Sequence, residues 1–259
     1  MSPAPETVAI DFITPRHLAG GGDPAWITVP LHRACGWSHG NDPLMPRVLL
    51  SSPDQKALLR LEPDPDGQWW TLQHAAGPDQ PAWYASFGAR TPVELIGAVT
   101  DALTGPAPAA SAPSDPYEPL RKMAWAPSVG APGSVSPDGT AHVQRLGGTD
   151  EPGAWFVTAT LGHNRPVWQA RFGEHTPAHL ITAFTTALAD PRPALRTHGS
   201  HGLPTRDPSI VTRRTTDVPA VNVASALEQR VQSLTARRAT PPTSPSPTPW
   251  SPPKSGRSR

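Results

Sequence analysis

The 259-residue chain holds one cysteine, Cys35, which excludes an internal disulfide and any zinc site built from several thiolates. It has three lysines, Lys56, Lys122 and Lys254, so nearly all of its 22 basic residues are arginine. No apolar run approaches the ~18–20 residues of a membrane-spanning helix. The start, Met1-Ser-Pro-Ala-Pro-Glu6, lacks the basic and apolar stretches of a secretion signal, so a soluble cytoplasmic protein is expected. Charged residues make up 17% and hydrophobic residues 37%, both below the usual globular share. Proline fills the difference with 36 residues. That composition excludes a coiled coil and implies many turns.

The formal net charge of +1 hides an asymmetry. Residues 1–191 carry 11 Lys+Arg against 18 Asp+Glu, whereas residues 192–259 carry 11 against 3. A mildly acidic body is followed by a basic end.

The body is an internal repeat. Trp70–Pro106 aligns without a gap to Trp155–Pro191, with 16 identities in 37 positions. Upstream, Ser52-Pro53-Asp54 matches Ser136-Pro137-Asp138. In the first copy, Arg47–Ser51, Lys56–Glu62, Trp69–His74 and Trp83–Phe87 read as strands, with turn residues between them. In the second copy, Ala141–Leu146, Trp155–Leu161 and Val167–Phe172 correspond, after a weak strand near Gly133–Val135. A helix follows each meander. Thr91-Pro92-Val93-Glu94 reads as a capping box, and Leu95, Ile96, Val99, Ala102 and Leu103 recur at helical spacing. The second copy repeats Thr176-Pro177 and the stripe Leu180, Ile181, Phe184, Ala187 and Leu188, but has His179 in place of Glu94.

The expected fold is therefore α+β: two tandem ββββα repeats, antiparallel meander sheets each with one helix on one face, and a disordered Pro-rich C-terminal tail. Residues 1–46 are a lead-in with a short strand at Trp26–Val29, 47–106 the first repeat, and 107–118 a linker. Residues 119–191 are the second repeat and 192–238 a basic segment with one amphipathic helix, Asn222–Arg238. The tail spans 239–259. Pro30-Leu31 to Trp37 loosely echoes Pro119-Leu120 to Trp125, which suggests a short docking segment before each copy.

Strand alternation assigns Trp83, Ala85, Phe87, Trp168, Ala170 and Phe172 to the core. The opposite face then carries Trp69, Tyr84, Phe156 and Arg171, the candidate binding residues. The plain expectation is that these outer faces pack on each other or on a second chain, since a unit of about 45 residues is marginal alone. The alternative is a ligand platform. Twin repeats with aromatics on an open sheet resemble, in topology only, the whirly and PUR types of single-strand nucleic-acid binder. Against that stands the acidic body.

Catalytic and metal readings find little support. His175 and His179 flank the predicted helix start and do not share a face. His198 and His201 lie in a polar loop. Cys35 sits near His32, His39 and Asp42, but a triad is defined by geometry, not by sequence spacing. Gly20-Gly21-Gly22 lacks the Lys-Ser/Thr of a phosphate loop. The Ser-Pro-Asp segments have the residues of a tight turn.

The twin units, each entered by Ser-Pro-Asp at Ser52–Asp54 and Ser136–Asp138, resemble the SPDY family, a streptomycete domain of unknown function usually present as two tandem copies. Asp42-Pro-Leu-Met-Pro-Arg47, Gln68-Trp-Trp70 and Trp83-Tyr-Ala-Ser-Phe-Gly88 are similar too. The family's usual tyrosine after the aspartate is replaced by Gln55 and Gly139. The resemblance implies no catalytic residue, cofactor or substrate. The expectation is a non-enzymatic binding or protein-interaction module without cofactor or metal, whose partner is another protein or a second copy. Single-stranded nucleic-acid binding through the open faces and the basic tail is the alternative.

Overall fold

The computed structural model describes residues 6–40, 47–62, 67–78, 80–106, 114–128, 130, 132–147, 153–162, 165–199 and 202–239. The expected tail from 240 onward, most of the linker, residues 63–66 and residues 41–46 lie outside them. The chain is α+β, with two antiparallel sheets and five α-helices among the described residues.

The first copy contributes β2 (Ser38–Gly40), β3 (Val48–Ser51), β4 (Ala57–Leu61), β5 (Gln68–His74) and β6 (Trp83–Gly88), then α2 (Val93–Thr104). The second contributes β7 (Ala126–Pro127), β8 (Gly133–Val135), β9 (Ala141–Leu146), β10 (Ala154–Thr160) and β11 (Pro166–Phe172), then α4 (Ala178–Ala189). Short helices α1 (Ala25–Arg33) and α3 (Glu118–Lys122) precede the two copies. Each copy is thus larger than a four-stranded meander. The sequence echo between Pro30–Trp37 and Pro119–Trp125 marks these helices and the buried Trp37 and Trp125 behind them. Trp26–Val29 lies inside α1 and is not a strand. Its apolar residues are too few to separate the two periods.

The copies do not stack through their outer faces. They join edge to edge, in the order β2-β3-β4-β5-β6-β11-β10-β9-β8-β7. At the seam, Ala85 faces Phe172, Ser86 faces Arg171 and Phe87 faces Ala170. Ser86 and Arg171 are equivalent positions of the repeat, so a local pseudo-two-fold axis passes between them. Pairing β6 with β11 removes one open edge from each unit. It also brings α2 and α4 together on one face. Phe87 meets Phe172 edge-on at 5.7 Å, and Phe184 of α4 lies 5.9 and 5.2 Å from them. Trp83, Ala85, Trp168 and Ala170 are buried beside these rings, as strand alternation predicts.

The Ser-Pro-Asp segments are turn devices. Ser52 Oγ donates to Asp54 Oδ1 (2.6 Å) and accepts from the Ala57 amide (2.8 Å), while Asp54 also accepts from the Lys56 amide (3.2 Å). Ser136, Asp138, Ala141 and Thr140 repeat the pattern. The next residue has positive φ in both copies, 59° at Gln55 and 70° at Gly139.

The ends of the chain fold onto the body, and the segment 192–238, expected to hold one helix, holds two strands as well. β1 (Thr7–Thr14) pairs with both β12 (Ala194–Thr197) and β13 (Thr212–Pro219) in a second sheet. Helix α5 (Ala220–Ala239) packs on α1, with Val231 and Leu234 buried. Non-local pairing of this kind leaves only weak local signals. No helix among the described residues is long and apolar enough to cross a membrane.

The expected capping box at α2 does not form. Pro92 occupies the cap position without a side-chain bond, and the buried Thr91 Oγ1 has no partner among the described residues. The Val93 amide instead donates to the Gly21 carbonyl (2.7 Å). That close approach needs the glycine run: a Cβ on Gly21 would stand 2.7 Å from the Ala89 carbonyl oxygen. Glu94 is then free to grip Arg196, through Oε1 at 2.6 Å and Oε2 at 3.0 Å. The Arg196 side chain is 5% exposed.

Two outcomes follow from these features. Gly139→Ala should lower stability in urea titration by about 1 kcal/mol, because only glycine adopts positive φ freely. Gln55→Gly should leave stability unchanged or raise it by a few tenths, since relief of that strain offsets added chain entropy. Separately, Glu94→Ala should cost about 3 kcal/mol by leaving a buried guanidinium unpaired. The double variant Glu94→Leu/Arg196→Met should cost less than that single change, read by the same titration.

Candidate functional site

The helices occupy one face of the ten-stranded sheet, and the candidate site is the other. Register places one row of its residues side by side across eight strands: Leu49, Arg60, Thr71, Ser86, Arg171, Phe156, Gln144 and Gly133. The row crosses the seam between copies without a break. Trp69 on β5, Tyr84 on β6, Arg171 on β11 and Phe156 on β10 therefore stand on four successive strands of one surface. Trp69 is 41% and Tyr84 50% exposed, Arg171 is exposed and Phe156 half-buried.

Local geometry explains how these side chains are held. A register shift between Gln68 and Trp70 sets Trp69 at a bulge. The Tyr84 ring lies over Gly173, where a Cβ would approach it to 3.0 Å. The Tyr84 carbonyl accepts from the Gly173 amide (2.9 Å) and from Thr176 Oγ1 (3.1 Å), which ties it across the seam. Arg171 donates to Gln169 Oε1 through Nε (3.2 Å) and Nη2 (3.0 Å), and Gln169 reaches Thr158 (3.4 Å). On the first copy, Arg60 and Arg47 both pair with Glu62. Arg60, Gln73 and Gln169 join the surface through register alone. Their spacing in the sequence gives no sign of it.

A groove of about 470 Å³ opens at the β4–β6 end of this sheet, bordered by Lys56, Leu58, Gln73, His74, Trp83 and Tyr84. The two copies differ here. Trp168 Nε1 donates to the His17 carbonyl (2.7 Å), whereas the equivalent Trp83 Nε1 has no partner among the described residues and its ring stacks on His74 at 5.3 Å. His17 follows β1 in a single 3-10 turn, and its ring reaches Thr140 (2.6 Å). Burial holds that imidazole below its ordinary pKa, against the raising effect of Asp138.

The other singled-out residues have structural surroundings. Cys35 is 3% exposed in the core, and His32 bonds the Trp37 carbonyl (2.8 Å). His198 bonds Asp11 (2.9 Å), which also accepts from Thr215 (2.6 Å). Burial raises the Asp11 carboxyl, but these bonds outweigh it and hold it below the usual range. Asp42 and His201 lie outside the described residues. Among the described residues, no group of three or more His, Cys, Asp or Glu is placed to hold a metal ion.

Comparison with known proteins follows this repeat. No curated protein and no solved structure matches the chain. One family model does, SPDY, a domain of unknown function (DUF317), over residues 51–109 and 135–194. Those two matches run from the last residue of β3 through α2 and from the last residue of β8 through α4, within the halves related by the axis between Ser86 and Arg171. The chain thus carries two regions that match the SPDY domain, arranged as two tandem copies.

Proposed function

We propose that this chain is a non-enzymatic binding module that docks a protein partner on the helix-free face of its ten-stranded sheet. The carrying observation is the exposure of Trp69, Tyr84 and Leu146 on that one face, beside Phe156 and Arg171. Tryptophan, tyrosine and arginine are the residues that dominate protein interfaces, and here they stand among Ser, Thr and Gln side chains. The residues shared by the two copies support the non-enzymatic reading. They are mostly Trp, Phe, Gly, Pro, Thr and Leu, which fill the interior or shape turns.

A second reading has its own support. Arg171 and Arg60, the latter sharing the Glu62 carboxylate with Arg47, stand in one cross-strand row, about 14 Å apart at the usual strand spacing, with aromatic rings beside them. Single-stranded nucleic acid is bound by this combination of stacking and positive charge. The basic C-terminal segment adds less than its composition implies, because Arg192, Arg196 and Arg230 pair with Asp190, Glu94 and Asp101.

A photo-crosslinking amino acid at position 84 should join the full chain to one protein of defined mass in native extract. Trp69→Ala should cut that yield about fivefold; no product, or an unselective smear, removes the protein-partner reading. The nucleic-acid reading predicts that the full chain binds a single-stranded oligonucleotide, and that Arg171→Ala reduces the salt slope by about 1. Absence of binding at low salt ends it.

A further inference from the structure

Among the described residues, the second sheet ends on an unshared strand. β13 is the outer strand of the order β12-β1-β13, eight residues long and exposed along nearly all of its length. Alternation in an antiparallel ladder fixes which of its backbone groups are already used. The Ala220 amide donates to the Glu6 carbonyl (2.9 Å), one step beyond the Thr7–Pro219 pair. The hydrogen-bonded pairs with β1 are therefore Val8–Val218, Ile10–Thr216 and Phe12–Arg214. On the other side of β1, the His198 amide donates to the Ala9 carbonyl (2.9 Å), which has the complementary parity. The N–H and C=O groups of Arg213, Thr215 and Asp217 consequently point away from β1.

Exposed edges are ordinarily blunted by bulges, proline or repelling charge. No bulge interrupts the register of β13 with β1, and its one proline is the last residue, Pro219. Its charges are Arg213, Arg214 and Asp217, and their order is self-complementary. Arg213 and Asp217 lie two residues either side of Thr215. A two-fold axis through Thr215 would set Arg213 of each strand opposite Asp217 of the other, and Arg214 opposite Thr216. Sliding the strands one way from that register sets Arg214 against itself. Sliding them the other way parts Arg213 from Asp217. Charge therefore selects one register. Arg213 is available for the pairing: its side chain is 47% exposed, and its approach to Asp11 is 4.0 Å.

We propose that the chain forms a symmetric dimer by pairing β13 with β13 of a second copy. The two three-stranded sheets become one of six strands, closed by about six backbone hydrogen bonds and two reciprocal Arg213–Asp217 pairs. Both partners use the same patch, as a closed two-fold interface requires. The ten-stranded sheet takes no part, so this dimer stands apart from the partner-binding reading above.

Light scattering on the full chain across a concentration series tests it. The wild type should reach twice the 27.5 kDa chain mass. Asp217→Arg sets arginine opposite arginine and should raise the dimer dissociation constant at least tenfold. Arg213→Asp should do the same, and Arg213→Asp/Asp217→Arg exchanges the partners and should restore the dimer. A monomeric wild type overturns the proposal, as does a dimer indifferent to Asp217→Arg. A double variant that associates no better than Asp217→Arg alone also overturns it.

Discussion

Pairing of β6 with β11 is the interaction on which the rest of the architecture depends. Each copy alone would expose one edge of β6 or β11 and the flank of a single helix. Joined about the axis between Ser86 and Arg171, the copies share a core in which Phe87, Phe172 and Phe184 touch one another. The same pairing lays the two outer faces in register on one side. A buried aromatic cluster and a continuous open surface are two results of one set of strand contacts.

The charge asymmetry of the sequence is largely an internal matching of segments. Arg196 enters from β12 to hold Glu94 on α2, and Arg230 on α5 reaches Asp101 (2.8 Å) at the far end of the same helix. Arg238 donates to the Thr104 carbonyl (2.9 Å), where that helix ends. The basic C-terminal segment thus fastens itself along an acidic body. Burying Arg196 is tolerated because both carboxylate oxygens of Glu94 and the carbonyls of Gly20 and Leu195 accept from its two Nη groups, although its Nε has no partner among the described residues.

The two copies are alike in the core and unlike where other parts of the chain meet them. Trp83 and Trp168 occupy the same place in their units and are equally buried. Among the described residues only Trp168 finds a carbonyl, because the turn after β1 crosses the second copy. In the first, His74 stands where the second has Ala159, and its ring covers Trp83 instead. Duplication supplied the scaffold, and the added N- and C-terminal strands broke its symmetry.

Most strands of the repeat, both long helices, the Ser-Pro-Asp turns and the inward face were legible in the sequence, since each rests on short-range periodicity or turn chemistry. The strand expected at Trp26–Val29 failed because three apolar residues and a threonine suit either period, and the capping box failed because a distant glycine carbonyl took the helix amide. Candidate residues Trp69, Tyr84, Phe156 and Arg171 were legible as members of an outward face, but not as neighbours. By itself, the sequence determined the repeated unit and which side of each strand is apolar. Only the tertiary structure decided that the units join by their edges, that β1 gathers β12 and β13, and which arginines are consumed inside the molecule. Those outcomes depend on contacts between residues more than eighty positions apart, and no local pattern encodes them.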